Sequence, residues 1–392
     1  MSDGDLAFRL QGHASELGFS LFGIVDPRSS PRMGFYRSWL DRDFHGEMGY
    51  LSRPESIGRR SNLAGTMEAV RSVVIVGHEY YQEDDPAAMA DPSRAVIARY
   101  ARGDDYHDVV KHKLLEMLEW LDAEADGTVT GRAYVDTGPI LERDLAQRAG
   151  LGWYGRNTML IDPHRGSYFF LGVLLLDIEL PPSEPFVEDR CGSCHACLEA
   201  CPTGALLGRD DEGAPVIDAR LCISYLTIEL RGPIPRELRP AMGNRVFGCD
   251  ICQEVCPFSR KFASPSREPA YSARTALDGP PLVNLAEQLL ALSGRGFRRA
   301  FAGSPVLRTG RKGLLRNVCV ALGNWGSDSG VPVLGRALMD PAPLVRGHAA
   351  WALGMVGSRD AYTHLSERAR LEEDDWVRGE IEVAIDARDE AR

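Results

Sequence analysis

The chain has 392 residues, enough for two or three domains with cores of their own. Its 44% hydrophobic and 8% aromatic content is that of a globular protein, and no apolar run is long enough for a transmembrane helix, so no membrane partner is expected. A formal net charge of −11 argues against a general nucleic-acid coat but leaves room for a local basic surface.

The opening Met1-Ser2-Asp3-Gly4-Asp5 is acidic and has no apolar signal-peptide core, which makes the cytoplasm the expected address. Residues 1–180 read as an α/β domain. Leu6 to Leu17 has helical spacing and leads into the apolar run Ser20 to Val25. Val70 to Val76 is rich in β-branched residues and stops at Gly77, as a buried strand does. His107 to Ala125 is expected as a helix: Val109, Val110, Leu114, Met117, Leu118 and Leu121 recur at helical intervals, and Asp104 or Asp105 can cap it. Val129 to Val135 and Tyr168 to Ile178 read as further strands, and strands alternating with helices suggest a layered sheet.

No Gly-x-Gly-x-x-Gly loop follows a strand and no Walker loop occurs, so a nicotinamide site is not expected. The strongest polar cluster is Tyr134-Val135-Asp136-Thr137-Gly138-Pro139-Ile140-Leu141-Glu142-Arg143. Asp136 falls at a strand end, where α/β sheets place chemistry. Half-buried, its carboxyl would have a raised pKa and donate a proton. Alternatively it caps a helix entered through Gly138-Pro139, which is what the local sequence favours. Gly150-Leu151-Gly152-Trp153-Tyr154-Gly155-Arg156-Asn157-Thr158 would let backbone approach a flat ligand, or is a tight loop pinned by Trp153. Arg99-Tyr100-Ala101-Arg102-Gly103-Asp104-Asp105-Tyr106-His107 offers aromatic and cationic groups, or a solvated helix cap.

Pro181-Pro182-Ser183-Glu184-Pro185 is a linker into a cysteine zone, residues 181–263. Eight of the nine cysteines lie there, and in a reducing cytosol such clustering favours metal ligation over disulfides. Cys191-x-x-Cys194-x-x-Cys197-x-x-x-Cys201-Pro202 is the bacterial ferredoxin pattern. Cys249-x-x-Cys252-x-x-x-Cys256-Pro257 lacks one cysteine of a second copy, which Cys222 can supply. In that pattern the fourth cysteine ligates the other cluster. Cys191, Cys194, Cys197 and Cys256 then hold one [4Fe–4S] cluster, and Cys201, Cys222, Cys249 and Cys252 hold a second, in a ferredoxin-like domain. Structural zinc would explain the Cys-x-x-Cys pairs but not the third cysteine or the two Cys-Pro endings. His195 reads as a loop-surface residue and Cys319 as core.

A polar stretch from Ala263 to Pro281 leads to the last zone, residues 283–392. There Val318-Cys319-Val320-Ala321-Leu322-Gly323 returns as Ala349-Ala350-Trp351-Ala352-Leu353-Gly354, each preceded by an arginine, Arg316 and Arg346. Val377-Arg378 starts a third copy. This resembles an all-α array of HEAT-like hairpins. From Gln288 to Ser327 there is no Asp or Glu, while Arg295, Arg298, Arg299, Arg308, Arg311, Lys312 and Arg316 all occur. Such a band suits RNA phosphates, or is a solvated helix face.

Together, Asp136-Thr137-Gly138-Pro139 with Glu142-Arg143, the loop of Gly150, Gly152 and Asn157, the Tyr100 to His107 element and the two cysteine runs resemble the epoxyqueuosine reductase family. The likeness spans residues 5 to 262, and the helical tail matches the longer members. It implies a cobalamin-binding α/β domain and an enzyme related to reductive dehalogenases. It implies reduction of epoxyqueuosine to queuosine at the wobble position of a tRNA with a GUN anticodon, the last step of queuosine biosynthesis. Electrons would come from an external low-potential donor through both clusters, with Asp136 as proton donor. Arg59, Tyr100, Tyr106, His107, Arg143, Trp153 and Asn157 are then expected around cobalamin and the modified base, the basic band on the tRNA, and the chain a monomer. Proteins that ligate cobalt through histidine resemble Asp-x-His-x-x-Gly. Asp105-Tyr106-His107-Asp108-Val109-Val110 has Val where that Gly stands, so base-off cobalamin is expected. Two other readings are a corrinoid dehalogenase of a small molecule, in which the helical tail would have no task, and a ferredoxin-type carrier subunit, which would not need the Asp136 element.

Overall fold

The apolar runs around residues 70–76 and 168–178 become the two central strands of a four-stranded sheet. The computed structural model describes residues 3–390; Met1 and Ser2 of the acidic opening lie outside the described residues. The strands are β1 (Leu21–Val25), β2 (Ser72–Glu79), β3 (Gly131–Tyr134) and β4 (Phe169–Leu176), in the order β1-β2-β4-β3. Every pairing is antiparallel: Val25 faces Val73, Ser72 faces Leu176, and Tyr134 faces Val173. The central strands are apolar without alternation because both faces are covered. On one face Val73, Ile75, Val173 and Leu175 form a core with Leu145 and Ala146 of helix Glu142–Arg148. On the other, Gly172 lies so close to helix Tyr106–Glu124 that a Cβ would meet Val110 at 3.0 Å and Leu114 at 3.1 Å. These helices are called α4 and α3 below; α1 is Asp3–Glu16 and α2 is Met33–Asp41.

Compactness does not follow the linear zones. One unit gathers Met1–Gln82, Asp105–Arg220 and Asp250–Ser272; the other gathers Glu83–Asp104, Leu221–Cys249 and Ala273–Arg392. The cysteine zone is therefore divided, with Cys222 and Cys249 in the second unit and the other six of its cysteines in the first. Among the described residues no helix is long and apolar enough to cross a membrane.

In the second unit the repeat appears as α5 (Gly310–Trp325), α6 (Val331–Ala337), α7 (Pro343–Val356), α8 (Arg359–Ala369) and α9 (Asp375–Glu390). The glycine ending each sequence copy sets the stacking distance. A Cβ on Gly323 would meet the Ala352 Cα at 2.8 Å, and one on Gly354 would meet the Ala384 Cβ at 2.7 Å. Cys319 is fully buried, as its apolar neighbours imply.

The arginine that opens each copy is structural, which corrects part of the basic band. Arg316 is 0% exposed and donates to the carbonyls of Leu226, Leu230 and Gly232 and to Asn317 Oδ1. Its charge is spent on peptide oxygens and no phosphate can reach it. Arg311 pairs with the buried Asp340 at 2.7 Å, and Arg308 pairs with Glu229 at 2.9 Å. Arg308 stays exposed beside Glu229, and Arg295, Arg298, Arg299 and Lys312 are exposed as well. Arg316→Met should cost about 3 kcal/mol or more, because it strands several buried carbonyls. Denaturant unfolding checks this; an unchanged midpoint would contradict the structural role.

Candidate active site

The local sequence builds this site at two element ends. Asp105 caps α3: its Oδ1 accepts the His107 backbone N–H at 3.1 Å and contacts His107 Nδ1 at 2.6 Å. One carboxylate thus starts the helix and aims the imidazole. At the far side of the sheet, β3 ends at Tyr134 and the chain turns sharply, with the Thr137 N–H on the Val135 carbonyl. Asp136 sits in that turn at φ 56°, in the left-handed region that a non-glycine residue rarely occupies. Helix α4 begins only at Glu142, with Leu141 as its cap, so Asp136 is not the helix cap that the local sequence favours.

Three groups hold Asp136 in place. Tyr106 donates its hydroxyl to Asp136 Oδ2 at 3.1 Å, and His107 Nε2 lies 3.5 Å from the same oxygen. The Asp136 backbone N–H donates to Glu142 Oε1 at 2.7 Å. The Tyr106 ring is itself fixed, stacked on Phe170 at 4.1 Å between centroids. The Asp136 side chain is 67% exposed, yet it opens into a concave cleft rather than onto a flat surface.

The electrostatics reverse one expectation. Burial in the concave cleft pushes the Asp136 carboxyl up, but the hydrogen bonds of His107 and Tyr106 and the charges of His107 and Arg143 outweigh it and hold it below the usual carboxylate range. His107 is the counterpart. Burial disfavours its charge, but Asp105 and Asp136 together raise it to about 9. Glu142 is pushed up to about 8, first by burial and then by the Asp136 charge. Near neutrality the resting proton therefore lies on His107 and Glu142, and Asp136 is ionised.

The cleft has an empty volume of about 1080 Å³, its open mouth included. Asp136, Glu142, Arg143, Tyr154 and Thr158 line one side; Arg32, Phe35, Tyr36, Trp39 and Arg60 line another. Arg143 donates to the Thr158 carbonyl. The Arg32 guanidinium lies over the Tyr154 ring at 4.4 Å. The α2 wall escapes the reading from sequence, although Phe35, Tyr36 and Trp39 at helical spacing beside Arg32 are a legible signal. Arg60, not Arg59, lines the cleft. Tyr100 belongs to the other unit, where it packs on Phe247 and Gly248.

Trp153 and Asn157 also stand elsewhere than expected. Trp153 is 1% exposed, clusters with Ile161, Cys256 and Cys191, and donates its indole N–H to Cys191 Sγ at 3.4 Å. Asn157 is buried and donates to the Cys252 carbonyl at 3.4 Å. Gly152 serves the protein's own backbone: it has φ 151°, and a Cβ there would lie 2.1 Å from the Ile161 carbonyl oxygen.

Cys191, Cys194, Cys197 and Cys256 line one small cavity together with Arg156 and Asn157. The Cys197 thiol is pushed up to about 11, by burial and then by the charges of Cys191, Cys256 and Cys194. This is the quartet that the ferredoxin crossing rule selects. Four cysteine sulfurs lining one cavity are the ligand number and donor type of a [4Fe–4S] cubane. His195 is exposed, with Nε2 at 2.8 Å from Arg156, as a loop-surface residue should be.

A cysteine-lined cluster cavity, a strained carboxylate in an open cleft and a helical-repeat array define an iron–sulfur oxidoreductase. Residues 190–259 match the 4Fe-4S double cluster binding domain, residues 305–386 match HEAT repeats, and residues 60–137 match the family described as epoxyqueuosine reductase QueG, DUF1730. An epoxyqueuosine reductase of Pseudomonas aeruginosa is 41% identical over 358 residues, covering 90% of this chain and 95% of that protein. A crystal structure of epoxyqueuosine reductase with an epoxyqueuosine-modified tRNA-Tyr stem loop matches at TM-score 0.86 and 30% identity, over 98% of this chain and 99% of that one. A Bacillus subtilis epoxyqueuosine reductase, solved with its catalytic aspartate loop swung out of the active site, matches at TM-score 0.85 and 30% identity over the same shares. The chain belongs to the epoxyqueuosine reductase family.

If Asp136 holds the His107 proton, Asp136→Asn should lower the His107 titration midpoint from about 9. Nuclear magnetic resonance of the imidazole reports it; an unmoved midpoint would contradict the pairing.

Proposed function

We propose that this chain reduces epoxyqueuosine in tRNA to queuosine, with Asp136 delivering the proton. The observation that carries the reading is Asp136 itself: a carboxylate in a rare backbone conformation, gripped by Tyr106, His107 and Glu142, and open to a cleft of ligand size. Family membership supplies the substrate, since relatives named for this reaction align over nearly the whole chain.

Converting an epoxide to an alkene consumes two electrons and two protons and releases water. An external low-potential donor supplies the electrons. Thiolates suit the clusters that would carry them: Cys191, Cys194, Cys197 and Cys256 for one and, by spacing, Cys201, Cys222, Cys249 and Cys252 for the other. Cobalamin fits the cleft's make-up, large and lined with aromatic and guanidinium groups; Arg32, Tyr36, Arg60 and Arg143 would hold it. When bound and reduced, it supplies electrons at the low potential that an epoxide carbon demands. His107 has both nitrogens occupied, by Asp105 and Asp136, which agrees with a cofactor that takes no histidine ligand.

One of the two protons follows from the resting charges, and the second, which completes the released water, comes from solvent. His107 carries the first on Nε2, facing Asp136 Oδ2. As negative charge builds on the departing oxygen, the proton crosses to Asp136 and onward, and Tyr106 keeps the carboxylate aimed. Glu142 anchors the turn through the Asp136 N–H and keeps the carboxylate over the cleft. Asp136→Ala should leave iron and sulfide content unchanged and lower turnover about 10²–10⁴-fold. Full activity would overturn the role.

For the tRNA we assign the phosphate contacts to Arg295, Arg298, Arg299 and Lys312, which are exposed, and leave out Arg308, which is exposed but paired with Glu229. Arg298→Glu with Arg299→Glu should weaken tRNA binding and flatten its salt dependence, by about 0.7–0.9 in log–log slope per lost contact. Binding with the wild-type slope would exclude this surface.

A further inference from the structure

Trp153 and Arg156 stand beside cluster ligands, and no step of the proton chemistry uses them. Trp153 is locked from both sides: Phe258 meets its ring edge-on at 4.8 Å and Phe186 stacks on it at 5.7 Å. Gly152 accepts a conformation that brings the strand tightly against Ile161, and the indole N–H points at Cys191 Sγ, 3.4 Å away. Three residues on, Arg156 spans the cysteine loop, donating to the Gly192 carbonyl at 2.8 Å and contacting His195 at 2.8 Å. Its Nε is buried without a partner, and the side chain lines the same cavity as the four cysteines.

An arriving electron adds negative charge to a cluster. A hydrogen bond to a ligand sulfur and a fixed positive charge nearby both stabilise the reduced form more than the oxidised one. We propose that the Trp153 indole N–H and the Arg156 guanidinium raise the reduction potential of the cluster held by Cys191, Cys194, Cys197 and Cys256, and so set where an incoming electron rests. This builds on the ligand assignment above. Both residues act through the cluster and neither touches the substrate.

The test is a redox titration of the reconstituted full chain, following each cluster by electron paramagnetic resonance. Trp153→Phe keeps an aromatic ring in the packed site and removes the donor together with part of the indole's volume. It should lower the midpoint of one cluster by up to a tenfold change in equilibrium, about 59 mV for one electron, and leave the other cluster unmoved. Arg156→Met should shift the same cluster in the same direction, and Arg156→Lys, which keeps the charge, should shift it less; these two carry the test if Trp153→Phe fails to load iron. A purely structural role would change iron content or melting temperature without moving the midpoint of the loaded fraction. Unmoved midpoints in fully loaded variants would overturn the proposal and leave the ligand assignment standing. Wild-type protein that binds no such pair of clusters would overturn both.

Discussion

Four cysteine sulfurs crowd one small cavity, and as thiolates they repel one another. The elevated Cys197 thiol is the sign of that crowding, driven by burial and three neighbouring sulfurs. A bound cubane would relieve it, because it would draw the negative charge of the thiolates onto metal. Cys256 reaches this cavity from a loop far along the chain from Cys191, so the grip also ties the cysteine loops to Trp153 and Ile161. The linker that precedes Cys191 docks Phe186 on the same indole.

The Asp136 turn shows the same economy. Asp105 starts α3, orients His107 and shares its proton balance, while Tyr106 between them reaches Asp136 and stacks on β4 through Phe170. Packing of α3 on the sheet therefore fixes two of the three groups that hold Asp136. The third, Glu142, opens α4, which packs on the opposite face. Strain at Asp136 is sustained because elements on both faces of one sheet hold it.

Much of this was legible in the sequence, for physical reasons. The strands announced themselves because burial on both faces leaves no polar position, and α3 because its apolar stripe is regular and its cap explicit. The cluster quartet followed from ligand spacing, which is local. The errors were matters of direction. Nothing in Gly-x-Gly-Trp-Tyr-Gly says whether the glycines yield to a ligand or to the chain's own Ile161, so Trp153 and Asn157 were expected at the cleft and stand at the cysteines. An acid-free stretch gives no account of carboxylates and carbonyls brought by folding: Leu226 and Asp340 claim Arg316 and Arg311, while Arg308 stays exposed with Glu229 as its partner. The Asp136 carboxyl was expected to be raised, as burial alone would do, because the approach of His107 is a tertiary fact.

The proposed reaction needs both a cluster relay and an acid in a cleft. Full-length protein reconstituted without oxygen from iron, sulfide and cobalamin, then supplied with a low-potential reductant and tRNA carrying epoxyqueuosine, tests this most directly. It should hold about eight iron and eight sulfide per chain and convert the modified base to queuosine. Protein with that full complement that leaves the epoxide intact would contradict the proposed reaction.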